Sequence, residues 1–252
     1  NSGYSTTTSN SNTGMGFRAL YRNTTAHNNT AVGYQALYAN TTGTENTAVG
    51  AYAGDSITTG SYNNAFGREA LSACTTGTHI TALGYQAAVN LTTAADCVFI
   101  GRQAGYGVTT GGYNIAIGNE SMMGTVTGNH NVVVGRDGLR AITAGNYNIA
   151  LGNDTNRQCT TGDNNIAIGH RALFANTVSN NTAVGHNALE ANTSGQENTV
   201  VGKDAATANT TGRSNVVMGY ESFLTNTTGD YNTALGYEAL RSNTTASNNV
   251  AV

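Results

Sequence analysis

Tyr34-Gln35-Ala36-Leu37-Tyr38-Ala39-Asn40-Thr41-Thr42-Gly43-Thr44-Glu45-Asn46-Thr47-Ala48-Val49-Gly50 is one period of a repeat, and its last five residues return along the whole chain. The closing block reads Asn-Ile-Ala-Ile-Gly at 114–118 and again at 165–169. The closing glycines are Gly16, Gly33, Gly50, Gly67, Gly84, Gly101, Gly118, Gly135, Gly152, Gly169, Gly185, Gly202, Gly219 and Gly236. Twelve of the thirteen spacings are 17 residues; the one from Gly169 to Gly185 is 16, with the missing residue at the turn around Val178–Ser179. Self-similarity of this length is the mark of stacked units, each burying its apolar face on the next.

Each column of the repeat has its own chemistry. Four residues before the closing glycine stands Asn, as in Asn46, Asn63, Asn114, Asn131, Asn148 and Asn165, with Ile80 and Cys97 as exceptions. Two before is usually Ala, and one before is always apolar. Ala and often Leu follow at three and four after, and Thr stands eight after in every unit but that of Val126. Seventeen residues are too few for a pair of helices, and the returning Thr-Thr-Gly breaks any 3.6-residue period. The period suits one coil of a β-solenoid. Asn-Thr-Ala-Val-Gly reads as a first strand, Tyr34-Gln35-Ala36-Leu37-Tyr38 as a second, and Thr-Thr-Gly as a corner. The expected fold is all-β: a parallel β-solenoid, or β-roll, of about fourteen 17-residue coils.

Composition agrees. The 252 residues include 32 Gly but no Pro, and only 10% are charged, with a net charge of −3. A chain that commits every backbone N–H to a continuous ladder has no place for proline. The charge gives no reason to expect nucleic acid, and no apolar run is long enough for membrane insertion. Residues 1–11 read as a partial coil or lead-in and 12–252 as one continuous array. The chain stops within a repeat at Asn249-Val250-Ala251-Val252, as a piece of a longer protein would. Cys74, Cys97 and Cys159 are odd in number and lack CxxC spacing, so neither a disulfide framework nor a zinc site is expected. Cys74 and Cys159 share a column but lie five coils apart, roughly 24 Å at strand spacing.

In a stack, identical residues of successive coils stand about 4.8 Å apart. The Asn column then forms a self-satisfying amide ladder beside the glycine column of Gly50, Gly67, Gly118 and Gly135. On the first strand Thr47 and Val49 point one way, Asn46 and Ala48 the other. Both faces are small or apolar, so both are expected to be covered, one by the coil and one by another copy of the strand. The Ala column of Ala48, Ala65, Ala116, Ala150 and Ala167 permits close approach and is the expected interface of a homotrimer. If the larger Val and Ile point outward instead, the interface moves to them.

The repeated Asn-x-Ala-(Val/Ile)-Gly of a proline-free chain resembles the head repeats of trimeric autotransporter adhesins, which form a trimeric parallel β-roll. The longer form with Ala-Leu and Asn-Thr-Thr-Gly, as at 34–43, is similar to repeats of phage tail-fibre-like proteins and bacterial mosaic trimeric fibres. The resemblance spans about Asn12 to Val252. It implies a homotrimeric, extracellular fibre of a cell surface or virion that works in attachment, with a cell-surface glycan or protein as receptor.

Candidate sites add little chemistry. His170 and His186 share a column one coil apart and should stack; exposed histidines explain them without a metal. No carboxylate pair recurs, so no catalytic, cofactor or metal residue is assigned and no enzyme is expected. Asn-x-Thr acceptor patterns at Asn23, Asn40, Asn209, Asn226 and Asn243 read as a Thr corner beside an Asn column. Tyr62, Tyr113, Tyr147 and Tyr231, each just before the core Asn, are candidate surface contacts able to stack on sugars, although packing between coils explains them better. Seven after the closing glycine, apolar Ile57, Cys74, Leu91, Val108, Ile142 and Cys159 contrast with Asn23, Asn40, Asn209, Asn226 and Asn243. A drier corner is expected at the former and a wetter one at the latter. The leading function is a structural segment of an attachment fibre. An ice-binding solenoid is the alternative, weakened because its threonines are adjacent (Thr41–Thr42). A polysaccharide-binding or -degrading β-helix is the third.

Overall fold

A computed structural model describes residue 8 and residues 10–252; most of the lead-in expected at 1–11 lies outside them. The described residues form a parallel β-solenoid of about fourteen turns without any helix. The chain falls into two compact units, Asn1–Asn129 and His130–Val252. The first holds β1 (Thr13–Met15), β2 (Thr30–Val32), β3 (Thr47–Val49), β4 (Asn64–Phe66), β5 (Thr81–Leu83), β6 (Val98–Ile100) and β7 (Ile115–Ile117). The second holds β8 (Val132–Val134), β9 (Ile149–Leu151), β10 (Ile166–Ile168), β11 (Thr182–Val184), β12 (Thr199–Val201), β13 (Val216–Met218), β14 (Thr233–Leu235) and β15 (Val250–Ala251).

Within each unit every strand pairs in parallel with the next at the same repeat position, as in Thr47↔Asn64, Ala48↔Ala65 and Val49↔Phe66. The register survives the 16-residue coil, where Ile166 still faces Thr182. That coil loses its corner glycine, and the carbonyl of Val178 takes over the bond from Asn165 that the corner glycine accepts in neighbouring coils.

The closing glycine sets how closely coils approach. Gly50 has φ +138°, and a Cβ there would lie 2.6 Å from the carbonyl oxygen of Gly67. Only glycine tolerates both the angle and the contact.

The expected second strand does not form. Tyr34–Tyr38 is a run of tight turns in which Gln35 (φ 56°) and Leu37 (φ 49°) are left-handed. Alternating handedness turns successive amides along the stack. Gln35 N–H donates back to Phe17 O at 2.9 Å and Leu37 N–H forward to Ala53 O at 3.0 Å. Within the coil Tyr38 N–H reaches Gln35 O at 3.2 Å. A left-handed non-glycine residue costs about 1–2 kcal/mol, and here each such residue makes a bond between coils that offsets it. Glu45 (φ 58°), just before the core Asn, is a third left-handed position of the repeat.

The two faces of the strand are the reverse of the leading expectation. Ala48, Ala116, Ala150 and Ala167 are fully buried, and Ala65 is 1% exposed, inside the coil's own interior. They are therefore not the surface that meets another chain. The interior is narrow: the strand Ala packs on the Ala and Leu of the following turns, as Ala167 does with Ala172 and Leu173. At two coils a larger residue enters where the opposite wall gives way. Val133 faces Gly138, where a Cβ would come within 2.7 Å of its Cγ1, and Phe99 fills the space left by Gly105. Val, Ile, Leu, Phe and Met one before the closing glycine point outward, with Leu83 at 47% and Met218 at 52% exposure.

The wetter corner is also absent. Leu91 and Asn226 are both fully buried. The amide finds its partners inside the coil rather than in water.

Candidate functional surfaces

The Asn column is built from three bonds per residue. Asn46 N–H donates to Asn29 Oδ1 at 2.9 Å, and Asn46 Nδ2 donates to Gly60 O at 2.9 Å. Asn46 Oδ1 in turn accepts from Asn63 N–H at 3.0 Å. The direction thus differs from a pure side-chain ladder: the amide oxygen accepts from backbone, and the NH2 reaches the corner of the next coil. The same arrangement holds Asn63, Asn148 and Asn165, with an added Nδ2–Oδ1 bond in the last two. Asn114 and Asn131 reach Gly128 O and Gly145 O.

The cysteines stand in the Asn columns and imitate the amide. Cys97 Sγ donates to Gly111 O at 3.6 Å and accepts from Asn114 N–H at 3.5 Å. Cys159 Sγ reaches Gly162 O at 3.6 Å. All three thiols are free and buried, and burial pushes each up to about 11. A thiol so held stays protonated at neutral pH and makes a poor nucleophile.

His170 and His186 stack with centroids 5.2 Å apart, and His186 Nδ1 lies 3.6 Å from Asp204. Among the described residues no three His, Cys, Asp or Glu side chains gather in a way that could hold a metal ion. The acceptor asparagines Asn23, Asn40, Asn209 and Asn226 are at most 1% exposed. A folded chain therefore does not offer them for glycosylation, whereas Asn243 is half-buried.

Tyr62, Tyr113, Tyr147 and Tyr231 are left-handed and exposed by 46–58%. Their column also carries histidine, which the count of five before each closing glycine would have revealed. Tyr62 stacks on His79 at 4.8 Å and Tyr147 on His130 at 4.9 Å. Tyr231 lies beneath the Arg213 guanidinium at 5.8 Å. The neighbouring coil thus covers one face of Tyr62, Tyr147 and Tyr231.

Adjacent threonines behave unequally. Thr41 Oγ1 donates to Thr58 O at 3.1 Å, as Thr58 does to Thr75 O and Thr210 to Thr227 O. Thr42, Thr59 and Thr76 are exposed. One threonine of each corner is thus occupied within the stack, and one faces solvent.

A further surface is the outward side of the strands. One rank carries Met15, Val32, Val49, Phe66, Leu83, Ile100 and Ile117 in the first unit, and Val134, Leu151, Ile168, Val184, Val201, Met218 and Leu235 in the second. The rank beside it is Thr, Val, Ile or a single Asn64, with no charged residue in either. No helix among the described residues is long and apolar enough to cross a membrane.

Comparison with protein-family models, with curated proteins and with solved structures returns no match to this chain.

Proposed function

We propose that this chain is a structural segment of a homotrimeric attachment fibre, extracellular and borne on a cell surface or virion, acting by shape and surface contact. The observation that carries this reading is the outward strand face. It is continuous within each unit, apolar in one full rank, free of charge, and left partly open to solvent: Phe66 is 37% and Val134 42% exposed. In the first unit, seven strands at about 4.8 Å spacing give this face a length of roughly 30 Å. Contiguous apolar surface of this extent usually marks a protein contact. A repeating, self-similar face is most simply covered by other copies of itself, burying an interface of the obligate type. The number three comes from the resemblance to trimeric adhesin and fibre repeats. The outward face takes the role first assigned to the Ala column.

The absence of a recurrent acid pair supports a non-enzymatic role over polysaccharide cleavage. The occupied hydroxyls of Thr41, Thr58 and Thr210 support the fibre over ice binding, because only one rank of the corner is left to order water.

Light scattering on the intact chain tests the reading. The expected mass is three times 25.9 kDa. Val134→Glu combined with Met218→Glu places six like charges on the interface, and the expected result is a chain that keeps its β spectrum but loses the trimer mass. A wild-type mass of one chain would sink the proposal.

A further inference from the structure

The distribution of cations singles out one surface patch. Nine of the eleven Lys and Arg residues lie within 4 Å of a carboxylate, as Arg68 does with Glu69 and Arg171 with Glu190. Arg18 and Arg22, both in the coil that follows β1, have no carboxylate partner among the described residues. The sequence explains why: the first acidic residue of the chain is Glu45. Elsewhere on the solenoid each guanidinium meets its counter-charge one coil away or a few residues along. Here that charge is missing.

These two cations are embedded in aromatic rings. Arg18 lies over Phe17 at 5.1 Å and over Tyr21 at 5.3 Å, and Arg22 over Tyr38 at 5.2 Å. Phe17 stacks on Tyr34 at 5.3 Å, Tyr21 stacks on Tyr38 at 5.4 Å, and Tyr34 meets Tyr52 edge-on at 5.2 Å. The contacts run without a break, so the two arginines and five rings form one patch. It is open to solvent: Phe17 is 52% and Tyr34 43% exposed, and Arg22 is exposed. Arg213 with Tyr231 is the internal contrast, since its guanidinium has Asp230 at 3.8 Å.

We infer that the Arg18–Arg22 aromatic patch is a binding site for an acidic oligosaccharide. Two unpaired guanidiniums, each a planar fork held against a ring, match carboxylate or sulfate groups bidentately. Rings beside them supply apolar contact for the C–H faces of sugar residues, and their low side-chain entropy favours binding. An acidic peptide or nucleic acid would also answer the charge. The five uncharged rings beside the two cations favour the glycan. The choice of a glycan rests on the attachment reading; the anion preference rests on the missing counter-charges alone.

The test is calorimetric titration of the intact chain with tetragalacturonate, with cellotetraose as the neutral counterpart and oligothymidylate as the competing polyanion. Saturable binding of tetragalacturonate is expected, at least about tenfold tighter than cellotetraose and weakened by added salt. Arg18→Gln with Arg22→Gln should reduce it about tenfold or more. Arg18→Lys with Arg22→Lys, which keeps charge and fold but removes the fork, should lose part of it. Arg213→Gln should leave it unchanged. Equal affinity for the neutral sugar, an unaffected double Gln variant with a native spectrum, stronger binding of oligothymidylate, or no saturable binding would each overturn the assignment. Mass by light scattering on the same sample separates the two ideas. A trimer without binding removes only this site, and a monomer that binds removes only the fibre.

Discussion

One buried corner, seven residues after the closing glycine, is built in two ways. Between coils it is lined by Ile57, Cys74, Leu91 and Val108 in the first unit, and by Asn192, Asn209 and Asn226 in the second, all at most 1% exposed. The apolar version is held by packing. In the polar version, Asn192 Nδ2 donates to Asn176 Oδ1 at 2.9 Å, Asn209 to Asn192 at 3.3 Å, and Asn226 to Asn209 at 2.7 Å. Each amide also holds the glycine three residues on, as Asn192 does with Gly195 O at 2.8 Å. Burial therefore does not select apolar residues here; it selects residues that agree with their neighbours in the column. The joints between the two versions show what disagreement looks like. Asn40 is followed in its column by Ile57, which cannot donate, and Asn40 Oδ1 is buried without a partner; Asn23 Oδ1 is orphaned too, because Asn40 Nδ2 donates to Gly43 O.

The contrast is broken most severely by placing one chemistry inside the other. Leu91→Asn sets an amide between Cys74 and Val108, loses the Leu packing and orphans an acceptor. The expected cost is about 3–5 kcal/mol in chemical denaturation. Asn226→Leu removes the donor to Asn209 Oδ1 and the acceptors of Asn243 Nδ2 and Gly229 N–H. About 2–4 kcal/mol should be lost by the same measurement. Asn40→Leu should instead gain about 1 kcal/mol, because it removes the orphaned oxygen. A loss comparable to that of Asn226→Leu would show that the ladder reading is wrong.

Asp55, two residues before Ile57, carries the same disagreement as a charge. Its Oδ1 is buried without a partner, and burial, with Glu69 nearby, raises its carboxyl to about 6. An acid raised on folding favours the native state below its unfolded value near 3.8, and that contribution is lost as pH rises through about 6. Discounted for its partial exposure, the penalty at neutral pH is about 1 kcal/mol. Asp55→Asn should raise the Tm at pH 7.5 and have little effect at pH 4; a gain that is equal at both would exclude the charge as its cause. The smallest effect belongs to Cys159→Asn. The amide would inherit the bond to Gly162 O and offer its oxygen toward the Asn176 side, so stability should change by less than about 1 kcal/mol.

The period, the closing glycines and the Asn column were legible in the residues, because each needs a residue type that little else can replace. The turns at 34–38 were not. Gln35 and Leu37 are left-handed without being Gly or Asn, and Tyr-Gln-Ala-Leu-Tyr carries ordinary strand composition. Only the bonds to the coils on either side justify those angles, and a single repeat does not contain them. The facing of the strand was ambiguous for another reason: Ala48 and Val49 are both apolar, and the width of the interior decides between them. That width is set by Ala and Leu from the turns. The Arg18–Arg22 patch was visible as a gap in the acidic residues, but the rings around it emerged only when +1, +2 and +5 positions of adjacent coils were brought together.

Asn46 is bonded to Asn29 before it and to Gly60 after it, and each core asparagine repeats that grip on its own neighbours. Junctions between coils that both carry the core asparagine then share one bonding scheme. Removing residues 51–67, one whole period, would set Gly50 against Gly84 and Asn46 against Ile80, whose N–H already accepts that same role toward Asn63 Oδ1. The core asparagine would keep an acceptor and a donor of the same kind, a corner glycine carbonyl and a backbone N–H. Length in such a chain is therefore inherited in steps of one coil, and duplication or loss of a period is among the mildest changes its gene can undergo. The single one-residue change of length in the array falls at a corner, at Val178. Reach, for a molecule of this kind, can be tuned by counting coils without redesigning any of them.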